Sequence, residues 1–174
     1  NAATPVVQPL TVNKKDQTIT FTALAAKAFG DAAFALAGTS NSGLAVTYTS
    51  SNPAVANVTG NMVTIVGVGS TNITASQTGN TNYNVATPVV QSLTVSNSTQ
   101  TITFNALAAK TFGDAAFALT ATARSGLAVT YTSSNTTVAA VTGSTVTIVG
   151  VGSTNITASQ SGNGSFSAAT PVVQ

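Results

Sequence analysis

Apolar and polar residues alternate along most of this chain with a period of two. Ile19 and Phe21 fall on one face of a short run, with Thr18 and Thr20 on the other. The same alternation places together Phe34 and Leu36, then Leu44, Val46 and Tyr48, then Val63 and Ile65, then Ile73 and Ala75, and finally Leu93 and Val95. Successive side chains of a strand point to opposite faces, so this pattern predicts half-buried strands and not helices. Turn residues separate the runs, at Phe29-Gly30-Asp31, Ser42-Gly43, Ser51-Asn52-Pro53, Thr59-Gly60-Asn61, Gly67-Val68-Gly69 and Gly79-Asn80. Thr59-Gly60-Asn61 and Thr142-Gly143-Ser144 predict tight hairpins. An alanine-rich stretch, residues 23–28 with its copy at 106–111, competes for helix by composition. It is too short to stand alone as one, and an irregular strand or loop is expected there.

The whole pattern occurs twice. Residues 17–91 align with residues 100–174 without a gap, and 58 of the 75 positions are identical. Ala-Thr-Pro-Val-Val-Gln stands three times, at residues 3–8, 86–91 and 169–174, each copy 83 residues after the last. That period is too long for one coil of a solenoid and suits one small domain. About seven short strands per unit, with turns every eight to twelve residues, predict an all-β chain of two tandem immunoglobulin-like β-sandwiches, end to end. The expected division is residues 1–13 as the last strand or arm of a preceding repeat, 14–96 as the first unit and 97–174 as the second. The second unit stops before the Leu-Thr-Val that follows Gln91, so its last strand is expected to be truncated. Beginning and ending at one phase of the repeat reads as a segment of a longer array. Pro5, Pro88 and Pro171 stand at the start of each copy of the last strand, where a missing N–H is tolerated. Connectors as short as residues 13–16 and 96–99 limit bending between units. Residues 1–12 match residues 84–95, so they can serve a neighbouring chain as the strand it lacks, since open sheet edges recruit strands.

Composition removes several function classes. The chain is 43% apolar and only 5% charged, which argues against disorder and leaves solubility to Thr, Ser and Asn. Its net charge of +2 comes from scattered Lys14, Lys15, Lys27, Lys110 and Arg124 against Asp16, Asp31 and Asp114. No basic patch forms, and nucleic acid is not an expected partner. Without cysteine there is no disulfide and no thiolate metal site. No apolar run reaches the roughly 18 residues of a membrane span, so none is expected in this segment.

Candidate chemistry is sparse. The chain has no His, Cys or Glu, and only Asp31 and Asp114 recur, one per unit. No catalytic, cofactor-binding or metal-ligating residue is assigned, no cofactor is expected, and the reading is non-enzymatic. One Asp per unit falls short of the clustered oxygens that calcium needs. Lys27 with Asp31, and Lys110 with Asp114, admit an internal isopeptide crosslink to an asparagine. The favoured reading is a turn in which Asp caps backbone N–H groups. The Thr-x-Thr pairs at residues 18–20, 47–49, 101–103 and 145–147 read as ordinary strand residues and not as an ice-binding rank. Tyr83 and Phe166, in a Gly-Asn loop, are expected to close the end of the core and not to stack on a sugar. The Asn-x-Ser/Thr triplets at Asn57, Asn72, Asn97, Asn135, Asn155 and Asn163 arise by chance in so Asn- and Thr-rich a chain.

Certain segments carry a family resemblance. These are Val-Thr-Tyr-Thr-Ser-Ser-Asn at 46–52, Val-Ala-Asn-Val at 55–58, Val-Thr-Ile-Val-Gly at 63–67 and Gly-Ser-Thr-Asn-Ile-Thr-Ala at 69–75. With Lys-Ala-Phe-Gly-Asp at 27–31 and Gly-Asn-Thr-Asn-Tyr at 79–83, the chain resembles bacterial immunoglobulin-like tandem repeats of large surface proteins (the Big and MBG-like group). The second copy keeps Lys110 to Asp114 but has Phe166 for the tyrosine. The resemblance implies an extracellular, cell-surface or filament location, and a stalk, spacer or adhesive role. Expected partners are neighbouring repeats in the same or other chains. The alternative is an adhesin repeat that binds a glycan or protein on another surface. Each unit would add about 30 Å, from strands of eight to ten residues at roughly 3.3 Å each.

Overall fold

The computed structural model describes residues 2–174. It is all-β, with seventeen strands and no helix among the described residues. The chain forms two compact units. One comprises residues up to Lys27 together with Asp31–Val95; the other comprises Ala28–Gly30 and Ser96–Gln174.

In the first unit one sheet has the order β2-β9-β8-β5, formed by Lys27–Ala28, Val89–Ser96, Gly69–Ser76 and Thr47–Ser50. A second sheet has the order β3-β7-β6, from Phe34–Ala35, Met62–Ile65 and Ala56–Thr59. The short strands β1 (Ile19–Thr20) and β4 (Thr39–Ser40) pair with each other. Inward residues from these sheets meet in one core: Ile19, Phe21, Leu36, Val63, Ile73, Ala75, Leu93 and Val95 are all buried. These are the positions the alternation placed inward. The β6–β7 hairpin pairs Thr59 with Met62 across Gly60-Asn61, and Gly60 takes φ +61°. Positive φ at the first central residue is what a two-residue hairpin loop needs, and glycine supplies it without a Cβ penalty.

The second unit repeats this plan with β10 (Ile102–Thr103) on β12 (Thr122–Ala123), a sheet β11-β15-β14 and a sheet β13-β16-β17. These last are Phe117–Ala118, Thr145–Ile148 and Ala139–Thr142, then Thr130–Ser133, Ile156–Ser159 and Val172–Val173. Its core holds Ile102, Phe104, Leu119, Val146, Ile156 and Ala158.

One expectation needs correction. The strands number nine and eight, not about seven, because the chain between residues 19 and 40 pairs in two-residue pieces that change partner. The first copy of the recurring hexapeptide, in the segment expected as a last strand or an arm of a preceding repeat, is in no strand of this chain. Residues 2–13 are exposed and unpaired, whereas the same residues at 86–91 and 169–174 enter β9 and β17. The alanine-rich stretch is irregular up to Lys27–Ala28, as its length required.

Candidate functional site

The best-organised polar groups are internal braces. Gln17 is buried on the core face, in phase with Ile19 and Phe21. Its Nε2 donates to Gln77 Oε1 and to the Asn84 carbonyl, the latter at 2.6 Å. Its Oε1 accepts from the Ser40 hydroxyl at 2.8 Å and from the Ser42 hydroxyl. Gln100 repeats the arrangement with Gln160, the Ser167 carbonyl at 2.7 Å and Ser125. Buried amides this fully paired fix the start of the first strand to the Gly-Asn loop. The sequence reading passed over these glutamines. The available signal was a polar residue at an inward position of the alternation, at 17 in phase with 19 and 21, and at 77 in phase with 71, 73 and 75. Tyr48 makes a second brace. Its hydroxyl accepts from the Gly38 N–H at 2.6 Å and donates to the Gly38 carbonyl at 3.1 Å.

The singled-out residues take structural roles. Asp114 Oδ2 accepts the Thr111 N–H at 2.9 Å, a turn cap. Lys27 Nζ sits 4.8 Å from the Phe34 ring centroid, and Lys110 Nζ sits 4.8 Å from that of Phe117. These are cation–π contacts that occupy the lysines on aromatic faces. Tyr83 and Phe166 are half-buried, and each loop is held by an asparagine: Asn80 Oδ1 accepts the Tyr83 N–H and Asn163 Oδ1 that of Phe166, both at 2.9 Å. Among the described residues no three His, Cys, Asp or Glu side chains gather. No helix among them is long and apolar enough to cross a membrane.

One feature is not internal bracing. The second unit carries an open groove of about 410 Å³, lined by Leu107, Phe117, Val146, Ile148 and Ile156 and flanked by Gly152, Ser153 and Thr154. Its counterpart in the first unit is filled. There β9 runs on past Gln91, and Leu93, Thr94 and Val95 pair with Thr71, Ser70 and Gly69. Leu93 is 0% and Val95 1% exposed. In the second unit the pairing stops at Gln174, which exchanges backbone bonds with Ile156 at 2.9 and 3.0 Å. β16 accordingly starts at Ile156, whereas β8 starts four positions earlier in the repeat, at Gly69. Lys110 and Thr111, counterparts of β2, form no strand.

The groove's far wall is nevertheless in place. Thr154 Oγ1 lies 2.8 Å from Ser133 Oγ and accepts the Asn135 N–H at 2.9 Å, as Thr71 does with Ser50 and Asn52. The Asn155 N–H donates to Ser134 Oγ at 2.9 Å. Apolar walls beside a sheet edge with unpaired backbone are the surroundings that seat a strand in the first unit.

No family model matches the chain, and no curated protein is significantly similar to it.

Proposed function

We propose that this chain is a non-enzymatic structural repeat of a long extracellular bacterial surface protein. It forms a stalk or filament whose main partners are neighbouring copies of the same unit. The observation that carries this reading is the repetition of the main internal braces at a spacing of 83. Gln17 with Gln77 returns as Gln100 with Gln160, Tyr48 on Gly38 as Tyr131 on Ala121, and Ser50 with Thr71 as Ser133 with Thr154. The one brace bond lost is that of Ser40 to Gln17, because Ala123 stands at the equivalent place. Interchangeable units suit a protein whose task is length, because stability and geometry then follow from one unit and its neighbours. A charged share of 5% also lets copies lie side by side with little repulsion.

Small-angle scattering on chains of two, four and six units tests the reading. The maximum dimension is expected to rise linearly, by about 30 Å per added unit. A dimension that levels off as units are added overturns it.

A further inference from the structure

We propose that Asn163 is a self-modification site. The Gly164 main-chain nitrogen closes on the Asn163 side chain, releases ammonia and leaves aspartate and isoaspartate, and the isoaspartate form unfastens the Gly-Asn loop of the second unit. This goes beyond the stalk reading and does not depend on it.

Asn163-Gly164 is the only Asn-Gly pair in the chain. Both residues are exposed. Gly164 has no side chain to keep the asparagine amide away from its nitrogen, and a Cβ built there meets nothing within 4 Å. The nitrogen and Cγ belong to adjacent residues, so ring closure is intramolecular and favoured by proximity. The loop also prepares the electrophile. Asn163 Oδ1 accepts the Ser165 N–H at 2.8 Å and the Phe166 N–H at 2.9 Å. Two such donors draw electron density from Cγ and stand where the oxygen takes up negative charge during the attack.

The first unit holds the internal control. Asn80 Oδ1 accepts the Asn82 N–H at 2.8 Å and the Tyr83 N–H at 2.9 Å, the same cradle. Thr81 stands where the second unit has Gly164. Its β-branched side chain crowds the attacking nitrogen and stiffens the chain that must turn to bring it in. The two loops therefore differ at the residue that attacks.

The step balances without any group from outside except water. The bond from the Gly164 nitrogen to Cγ forms, the bond from Cγ to the amide nitrogen breaks, and the Gly164 proton leaves with that nitrogen as ammonia. Water then opens the succinimide ring. Attack at Cγ restores the chain with aspartate at 163. Attack at the Asn163 main-chain carbonyl carbon breaks the original peptide bond and gives isoaspartate. Aspartate keeps the main chain as it was, and its carboxylate accepts the same two N–H groups with charge assistance. Isoaspartate instead carries the main chain through Cγ and lengthens it by one methylene. The oxygen that held Ser165 and Phe166 becomes a main-chain carbonyl. The former carbonyl, which accepts from Asn97 Nδ2 at 3.1 Å, becomes a free carboxylate. The Asn163 N–H, which donates to the Phe166 carbonyl at 2.9 Å, now lies at the far end of a longer loop. The bonds that fasten this loop cannot all be remade.

Peptide mapping by mass spectrometry tests the proposal on the folded 174-residue chain aged in neutral buffer. The amide-to-acid mass gain is expected at Asn163, with aspartyl and isoaspartyl peptides resolved by chromatography. Conversion at Asn80 is expected to be slower by about tenfold or more. Gly164→Thr is expected to bring Asn163 down to the level of Asn80. That variant folds without strain, since Gly164 is outside the left-handed region and its Cβ position is open. Thr81→Gly is expected to bring Asn80 up to the level of Asn163. The isoaspartyl fraction, separated from the aged chain, is expected to unfold its second unit at lower urea than Asn163→Asp, which unfolds with the parent. An intact Asn163, equal conversion in the two loops, or a Gly164→Thr chain that converts like the parent each overturns the modification. An isoaspartyl fraction as stable as Asn163→Asp overturns the unfastening. None of these results bears on the scattering series.

Discussion

Gly38 and Gly79 are both short of space, yet they are constrained differently. A Cβ at Gly38 would approach the Tyr48 hydroxyl to 2.8 Å, which is the movable end of a side chain. The second unit already carries that change. Ala121 stands at the equivalent place, and Tyr131 keeps both bonds at 2.8 and 3.3 Å, each 0.2 Å longer than at Gly38. Gly38→Ala is therefore expected to cost less than about 0.5 kcal/mol by urea denaturation. At Gly79 a Cβ would lie 2.4 Å from the Tyr83 carbonyl oxygen, and φ is +76°. Neither the backbone nor the left-handed conformation can give way, so Gly79→Ala is expected to cost about 1–3 kcal/mol. Gln77→Ala tests the buried brace. It leaves the Gly79 N–H and one Gln17 amide proton without their acceptor, at a cost of about 1–3 kcal/mol. A Gln77→Ala chain as stable as the parent would show that the glutamine pair is replaceable by water.

A strand is made by its partner as much as by its own residues, and β8 and β16 show this within one chain. Their sequences are identical from Gly69 to Ser76 and from Gly152 to Ser159, yet only the first is a strand along its whole length. β9 and residues 3–12 make the same point: one sequence is a central strand and the other an exposed arm, with only Pro9 and Ser92 differing. Faces were therefore legible in the sequence, since alternation fixes which side chains turn inward once a strand exists. Ile19, Phe21, Val63, Ile73, Leu93 and Val95 are buried as that pattern requires. Strand ends were not legible, because they depend on which backbone lies alongside. The groove was half legible. Its apolar lining follows from the alternation, but the preformed wall at Thr154 depends on hydroxyl contacts from a distant turn. Amide exchange can measure the difference between the two strands. In a chain trimmed of residues 1–12, the Thr71 amide is expected to exchange far more slowly than that of Thr154, because only the first has a strand on that side. Equal protection would mean that the edge beside Thr154 is closed in solution.

At the scale of the whole molecule, two near-copies of one sequence should differ in stability for a nameable reason. The first unit buries Leu93 and Val95 completely, and their repeat counterparts fall past the last residue of the 174-residue chain. Burying each such side chain contributes about 1.5–3 kcal/mol, and the backbone bonds that come with them add to this. A unit of this size has a marginal margin to lose from, on the order of 5–10 kcal/mol in total. Ala121 for Gly38 keeps both tyrosine bonds, while Ala123 for Ser40 loses one hydroxyl bond to the buried glutamine, worth about 0.5–1.5 kcal/mol. The second unit is therefore expected to unfold at lower urea than the first in a chain trimmed of its arm. Heteronuclear NMR can follow it, with Tyr48 and Tyr131 resonances reporting on the separate cores. Extending the chain by Ser-Leu-Thr-Val after Gln174 should bring the two midpoints together by raising the second. Replacing Leu93 with Ala should bring them together from the other side, lowering the first unit by about 2–5 kcal/mol. If the midpoints already coincide in the trimmed chain, the missing pair of side chains is not what separates the units, and the groove is a less costly opening than its apolar walls imply.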